Sequence, residues 1–139
     1  MRAAWVFGLA GLIPFVGLAV LAGLGPPPWQ PVAAILLAQY GALITAFVGA
    51  LHWGHAVQAG TRGGAAWLRY GYGVLPALWA WFALQFANAT TLQLLAGGLL
   101  ACLAADFMFQ RSQPWPVWMM RLRLVLTAVA SLSLLLAAL

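Results

Sequence analysis

Residues 31–56 read PVAAILLAQYGALITAFVGALHWGHA, and this stretch decides the fold class. It contains no Asp, Glu, Lys or Arg over its whole length. A helix crosses roughly 30 Å of hydrocarbon with about 20 apolar residues, so the stretch is long enough to span a bilayer. It opens on Pro31, a residue suited to the first helical turn because its missing N–H has no partner there in any case.

Four more runs of this kind lie around it. The expected helices are roughly 3–24, 31–56, 66–86, 92–109 and 117–139, forming one integral-membrane domain over 1–139. Gly25-Pro26-Pro27-Pro28 stops the first run, and a glycine-rich loop from Gln58 to Gly64 separates the second from the third. Pro76 interrupts the third run. Asn88-Ala89-Thr90-Thr91 makes the next corner, and Gln110 to Pro116 the last. Asn88-Ala89-Thr90 also spells a glycosylation sequon, but a cap or tight turn is the expected role so close to a membrane. The first run is expected to be retained rather than cleaved. It exceeds the usual 7–15 apolar residues of a signal peptide and ends in prolines rather than a small-residue cleavage site.

Composition agrees. Of 139 residues, 65% are hydrophobic and 5% charged, against roughly 25% charged in soluble domains. A soluble globule and a disordered chain are both excluded. The net charge of +5 does not indicate a nucleic-acid partner, because the arginines are thinly spread at the ends of apolar runs. Arg2, Arg62, Arg69, Arg111, Arg121 and Arg123 all fall on one side of a five-span bundle. The positive-inside rule makes that side cytoplasmic, with N-in and C-out. Trp5, Trp53, Trp67, Trp115 and Trp118 are expected near the inner interface and Trp29 near the outer one. Cys102 is the lone cysteine, so no intramolecular disulfide can form.

Polar groups in a bilayer are expensive, which makes the few present informative. The second run carries Gly41, Thr45 and Gly49 at steps of four, ending in His52 with His55 beside it. This row serves either close helix packing or a functional imidazole. The fourth run carries Gly98, Cys102 and Asp106 at the same steps. Asp106 is the only acid in the chain, and at that depth it must be paired or protonated. In the fifth run, Arg121 and Arg123 are about 200° apart on the helix and cannot both face inward. Arg123 lines up with Thr127 and Ser131 and is expected inside, Arg121 at the headgroups.

His52, Asp106 and Arg123 therefore form the candidate polar cluster at the cytoplasmic end. His55, Trp53, Tyr40, Pro14, Pro76 and Thr127 are secondary candidates. Gly11 with Pro14, and Gly73 with Pro76, are possible kinks or simple packing features. No catalytic, metal or cofactor site is expected. His52 and His55 lack a third ligand, Met108, Met119 and Met120 are ordinary in so apolar a chain, and His52 alone does not argue for haem. Phosphate-loop, nucleophile-elbow and nicotinamide motifs are missing from the sequence.

Several stretches together resemble a known family. They are Gly11-Leu12-Ile13-Pro14-Phe15, then Tyr40 to Ile44 with Phe47 to Gly54, then Leu75-Pro76-Ala77-Leu78 with Trp79, then Asp106, and finally Leu122-Arg123 with Leu126-Thr127. In this order they are similar to the short membrane proteins of domain of unknown function 3429, a family with a mitochondrial relative, transmembrane protein 69. The resemblance implies a five-helix bacterial inner-membrane protein and no particular activity. Met119 departs from it, standing where a tyrosine is expected.

Three functions remain open from the sequence. The first is a non-enzymatic structural, accessory or assembly protein held by the Asp106–Arg123–His52 cluster, with the bilayer, another copy or a larger membrane complex as partner. The second is a small proton-linked permease using Asp106 or His52. The third is a quinone- or haem-associated subunit.

Overall fold

The computed structural model describes residues 1–87, 89–112 and 114–139. These form six helices and no strand: α1 (Arg2–Ala10), α2 (Leu12–Leu24), α3 (Gln30–Gln58), α4 (Gly63–Ala83), α5 (Ala89–Phe109) and α6 (Val117–Leu136). The five expected runs become five rods, because α1 and α2 follow one another with only Gly11 between them. The sequon corner rests on Asn88, which lies outside the described residues.

Four rods are long and apolar enough to cross a membrane: Arg2–Leu24, Gln30–Gln58, Ala89–Phe109 and Val117–Leu136. α4 is 21 residues long, but Arg69, Tyr70, Tyr72 and its glycines dilute its apolar character. The outside of the bundle is rich in exposed large apolar side chains, including Phe7, Leu43, Phe47, Trp67 and Met108. Such a surface suits lipid and would drive aggregation in water.

The break in the first rod has a local cause. Pro14 has no N–H to give to the carbonyl of Ala10, and its ring crowds that carbonyl. Gly11 still donates to Phe7 O at 3.0 Å, and its own carbonyl accepts from Tyr40 Oη at 2.9 Å. Pro76 acts differently. α4 runs through it without interruption.

The turn after α3 sets up everything that follows. Gly60 has φ +59°, its N–H reaches Val57 O at 3.1 Å, and Thr61 N–H reaches Ala56 O at 3.0 Å. This paired closure in left-handed backbone is a Schellman C-cap. It returns the chain antiparallel, so that α4 begins beside the end of α3. The two helices then meet backbone to backbone at Gly49 and Gly73, where a Cβ on Gly49 would stand 2.8 Å from both Gly73 O and Pro76 Cγ. Trp53 Nε1 donates to Tyr70 O at 2.8 Å beside this contact.

The apolar core comprises Phe15, Leu37, Ala38, Ala42, Ala80, Ala83, Leu92, Leu95, Ala96, Leu99, Ala130 and Leu134. Apart from Phe15, these come from the start of α3, the end of α4, the first half of α5 and the end of α6. In an antiparallel bundle those segments share one end. The opposite end holds the buried His52, Arg69, Asp106 and Arg123.

Candidate functional site

Four helices meet at that opposite end, each contributing one side chain to a chain of polar contacts. His52 comes from the last turns of α3 and Asp106 from the end of α5, while Arg69 and Arg123 come from the early turns of α4 and α6. All four are buried. The row of small residues on α3, with Gly41, Thr45 and Gly49, lets the neighbouring helices approach, and His52 lies at its end on the same buried face. Thr45 Oγ1 turns back onto its own helix, donating to Gly41 O at 2.8 Å.

Asp106 is engaged on both oxygens. Oδ1 lies 2.8 Å from His52 Nε2, and Oδ2 accepts from Arg123 Nε at 2.8 Å. On the far side of the imidazole, Arg69 Nη1 lies 3.2 Å from His52 Nδ1. A guanidinium can only donate, so Nδ1 must present its lone pair. The proton is therefore on Nε2, from which it is donated to Asp106. His52 is thus a neutral imidazole in a fixed tautomer, forming the middle link of a chain Arg69–His52–Asp106–Arg123.

Arg69 has further partners but no carboxylate. Nη2 donates to Phe109 O at 3.3 Å, and its Cζ lies 4.2 Å from the Phe109 ring centroid. Both contacts place its charge at the C-terminal end of α5, where the helix carbonyls favour a cation. Tyr72, Phe109 and Trp115 enclose the His52 ring at centroid distances of 4.8, 5.1 and 5.3 Å. Gln110 ties Trp115 in place through both ends of its side-chain amide, Nε2 donating to Trp115 O at 2.8 Å and Oε1 accepting from Trp115 N–H at 2.9 Å. The site is buried, and a carboxylate this enclosed is tolerable because each of its oxygens is met by a donor.

The structure brings together His52, Asp106 and Arg123. Arg121 is exposed, as its place on the helix predicts. Thr127 is buried one turn beyond Arg123. Trp53, Pro76 and Tyr40 serve helix contacts away from the cluster, Pro14 sits at the break, and His55 packs on Trp115 with centroids 5.6 Å apart. Two members were missed. Arg69 counts in the sequence only as one of the arginines on the cytoplasmic side, and it is buried against His52. Trp115, assigned to the interface, is buried on the imidazole. Arg69 did carry a signal: it lines up with Gly73, Pro76, Ala80 and Ala83, the face that α4 buries.

Among the described residues, three polar atoms of α6 are buried without a protein partner: Arg123 Nη2, Thr127 Oγ1 and Ser131 Oγ. No three His, Cys, Asp or Glu side chains among the described residues group closely enough to hold a metal.

The family described as "Protein of unknown function (DUF3429)" matches residues 1–139. Transmembrane protein 69 of Xenopus tropicalis is 35% identical over 135 residues, covering 96% of this chain and 52% of that protein. Transmembrane protein 69 of Mus musculus is 30% identical over 128 residues, covering 90% and 51%. The chain thus spans about half the length of the curated relatives it matches. No solved structure matches it. With the match running from the first residue to the last, the chain belongs to the DUF3429 family.

Proposed function

We propose that the protein is a non-enzymatic membrane scaffold of five spans in a bacterial inner membrane, N-in and C-out, whose Arg69–His52–Asp106–Arg123 chain locks four helices at the cytoplasmic end. The observation that carries this reading is the closure of the acid. The Asp106 side chain is 1% exposed, and both its oxygens are already taken. A proton carrier needs its carboxylate to be reachable, and an axial haem ligand needs a free imidazole nitrogen. Both nitrogens of His52 are occupied by side chains.

Orientation rests on the arginines. Arg2 opens α1, Arg62 caps α4, Arg111 follows α5, and Arg121 and Arg123 lie early in α6, all at the end that holds the lock. α4 counts as the fifth span because it packs antiparallel on α3 and buries its one arginine inside the bundle rather than in lipid. The outer apolar faces remain for lipid, another copy or a partner complex.

The test is a double-mutant cycle in detergent or bilayer, with Asp106→Asn, Arg123→Gln and the pair together. Coupling between the two sites supports a lock, and additive losses refute it. Reporter fusions after Leu139 and in the 58–64 loop test the orientation.

A further inference from the structure

Beside the lock lies a cavity of about 320 Å³, bounded by the first rod, α3, α6 and Leu99 of α5. Its wall covers residues 4–15 of the first rod and 119–130 of α6, about 16 Å along each helix axis. Phe7 and Phe47 line it while remaining exposed, so it opens sideways from the bundle. Apart from Arg123 and Thr127, its lining side chains are apolar or glycine. Those two residues carry Nη2 and Oγ1, buried donors with no protein partner. Leaving such donors unmet is costly, and more so when one is charged.

The charge balance says what would meet them. The lock contains two guanidinium groups and one carboxylate. Asp106 is the only acid in the sequence, so no side chain of the chain can cancel the excess positive charge. The carbonyl end of α5 takes up part of it at Arg69, and the positive field that remains favours an anion beside the other guanidinium. Arg123 spends Nε on Asp106 and keeps Nη2 available, and one guanidinium has donors enough for two carboxylates.

We propose that this lateral groove binds a long-chain fatty acid, with its carboxylate on Arg123 Nη2 and Thr127 Oγ1 and its hydrocarbon along the apolar walls between the first rod and α6. The length and apolar lining suit a single chain. The buried donors and the uncancelled charge select an anionic head over a neutral one. This site lies beside the lock and uses an edge of Arg123 that the lock does not.

The test uses the full chain in phosphatidylcholine nanodiscs, with equilibrium binding of radiolabelled oleate measured against empty discs. Saturable binding of one oleate per chain is expected. Methyl oleate and a short-chain ubiquinone, both uncharged, should compete at least tenfold less well. Thr127→Val keeps the side-chain shape and the Asp106–Arg123 pair, and should weaken oleate about tenfold, the scale of one hydrogen bond to a charged group. Leu51→Trp fills the groove from its wall and should abolish saturable binding. Absent saturable binding overturns the proposal, as does equal competition by the ester or the quinone. Wild-type affinity in either variant does the same. A failed double-mutant cycle at Asp106 and Arg123 would sink the scaffold reading without touching these outcomes.

Discussion

Arg69 and His52, seventeen residues apart in the chain, meet side chain to side chain, with Nη1 3.2 Å from Nδ1. That contact does more than add a hydrogen bond. A guanidinium nitrogen only donates, so the contact makes Nδ1 the acceptor. It also directs the remaining ring proton at Asp106. Sequence separation and placement on different helices make this a tertiary decision about a tautomer.

The first prediction concerns that decision. Nitrogen NMR of the ring should show a single neutral Nε2–H tautomer. Arg69→Met should release the constraint, giving mixed tautomers or a protonated ring, and cost about 1–3 kcal/mol through the unmet Nδ1. An imidazolium signal in the unmodified chain would contradict the chain of hydrogen bonds.

Asp106 and Arg123 should be energetically coupled. Arg123→Gln alone leaves a buried carboxylate with only His52 for company, and Asp106→Asn alone leaves two buried cations. Each should cost about 3–5 kcal/mol, and the double variant should recover part of the sum. Thermal or denaturant unfolding of the four species measures it.

A glycine pair separates packing from propensity. Gly49→Ala puts a methyl against the backbone of Gly73 and the ring of Pro76, which cannot swing aside. It should cost about 1–3 kcal/mol. Gly71→Ala, on α4, places its methyl in open space, with no neighbouring side chain or helix within 4 Å. It should be neutral or stabilising by up to about 1 kcal/mol, the helix preference of alanine over glycine. Opposite signs in melting temperature are expected.

Tyr40→Phe removes the bond to the Gly11 carbonyl and leaves the edge-to-face contact with Phe15, whose ring centroid is 5.0 Å away. A loss of about 1 kcal/mol is expected, read as faster hydrogen exchange in the first rod ahead of the rest.

Much of this arrangement was legible in the sequence because a membrane makes polar residues scarce. His52, Asp106 and Arg123 each stood alone on a row of small or hydroxyl residues, and the four-residue step gave each row its face. Arg69 escaped because an arginine near a helix end already has an ordinary explanation at the headgroups. Its alignment with Gly73, Pro76 and Ala80 was the stronger signal. Trp115 escaped for the same reason, since tryptophan suits both an interface and a ring stack. The interruption at Gly11 could be suspected from Pro14, yet Pro76 in a similar Gly-x-x-Pro setting leaves its helix whole. The difference is support. Pro76 is buried against α3, whereas α1 has no buried residue at all.

That last contrast has a mechanical side. Phe15 is the single buried residue of the first rod, so every charged member of the lock and almost the entire apolar core belong to the other four. The rod is moored near its middle by Phe15 and by the hydroxyl of Tyr40, and below that point Gly8 lies close against Leu122 and Leu126 of α6. The first rod therefore supplies one wall of the lateral groove and no charged member of the lock, so substitutions along its N-terminal turns reshape the groove without removing a partner from Asp106.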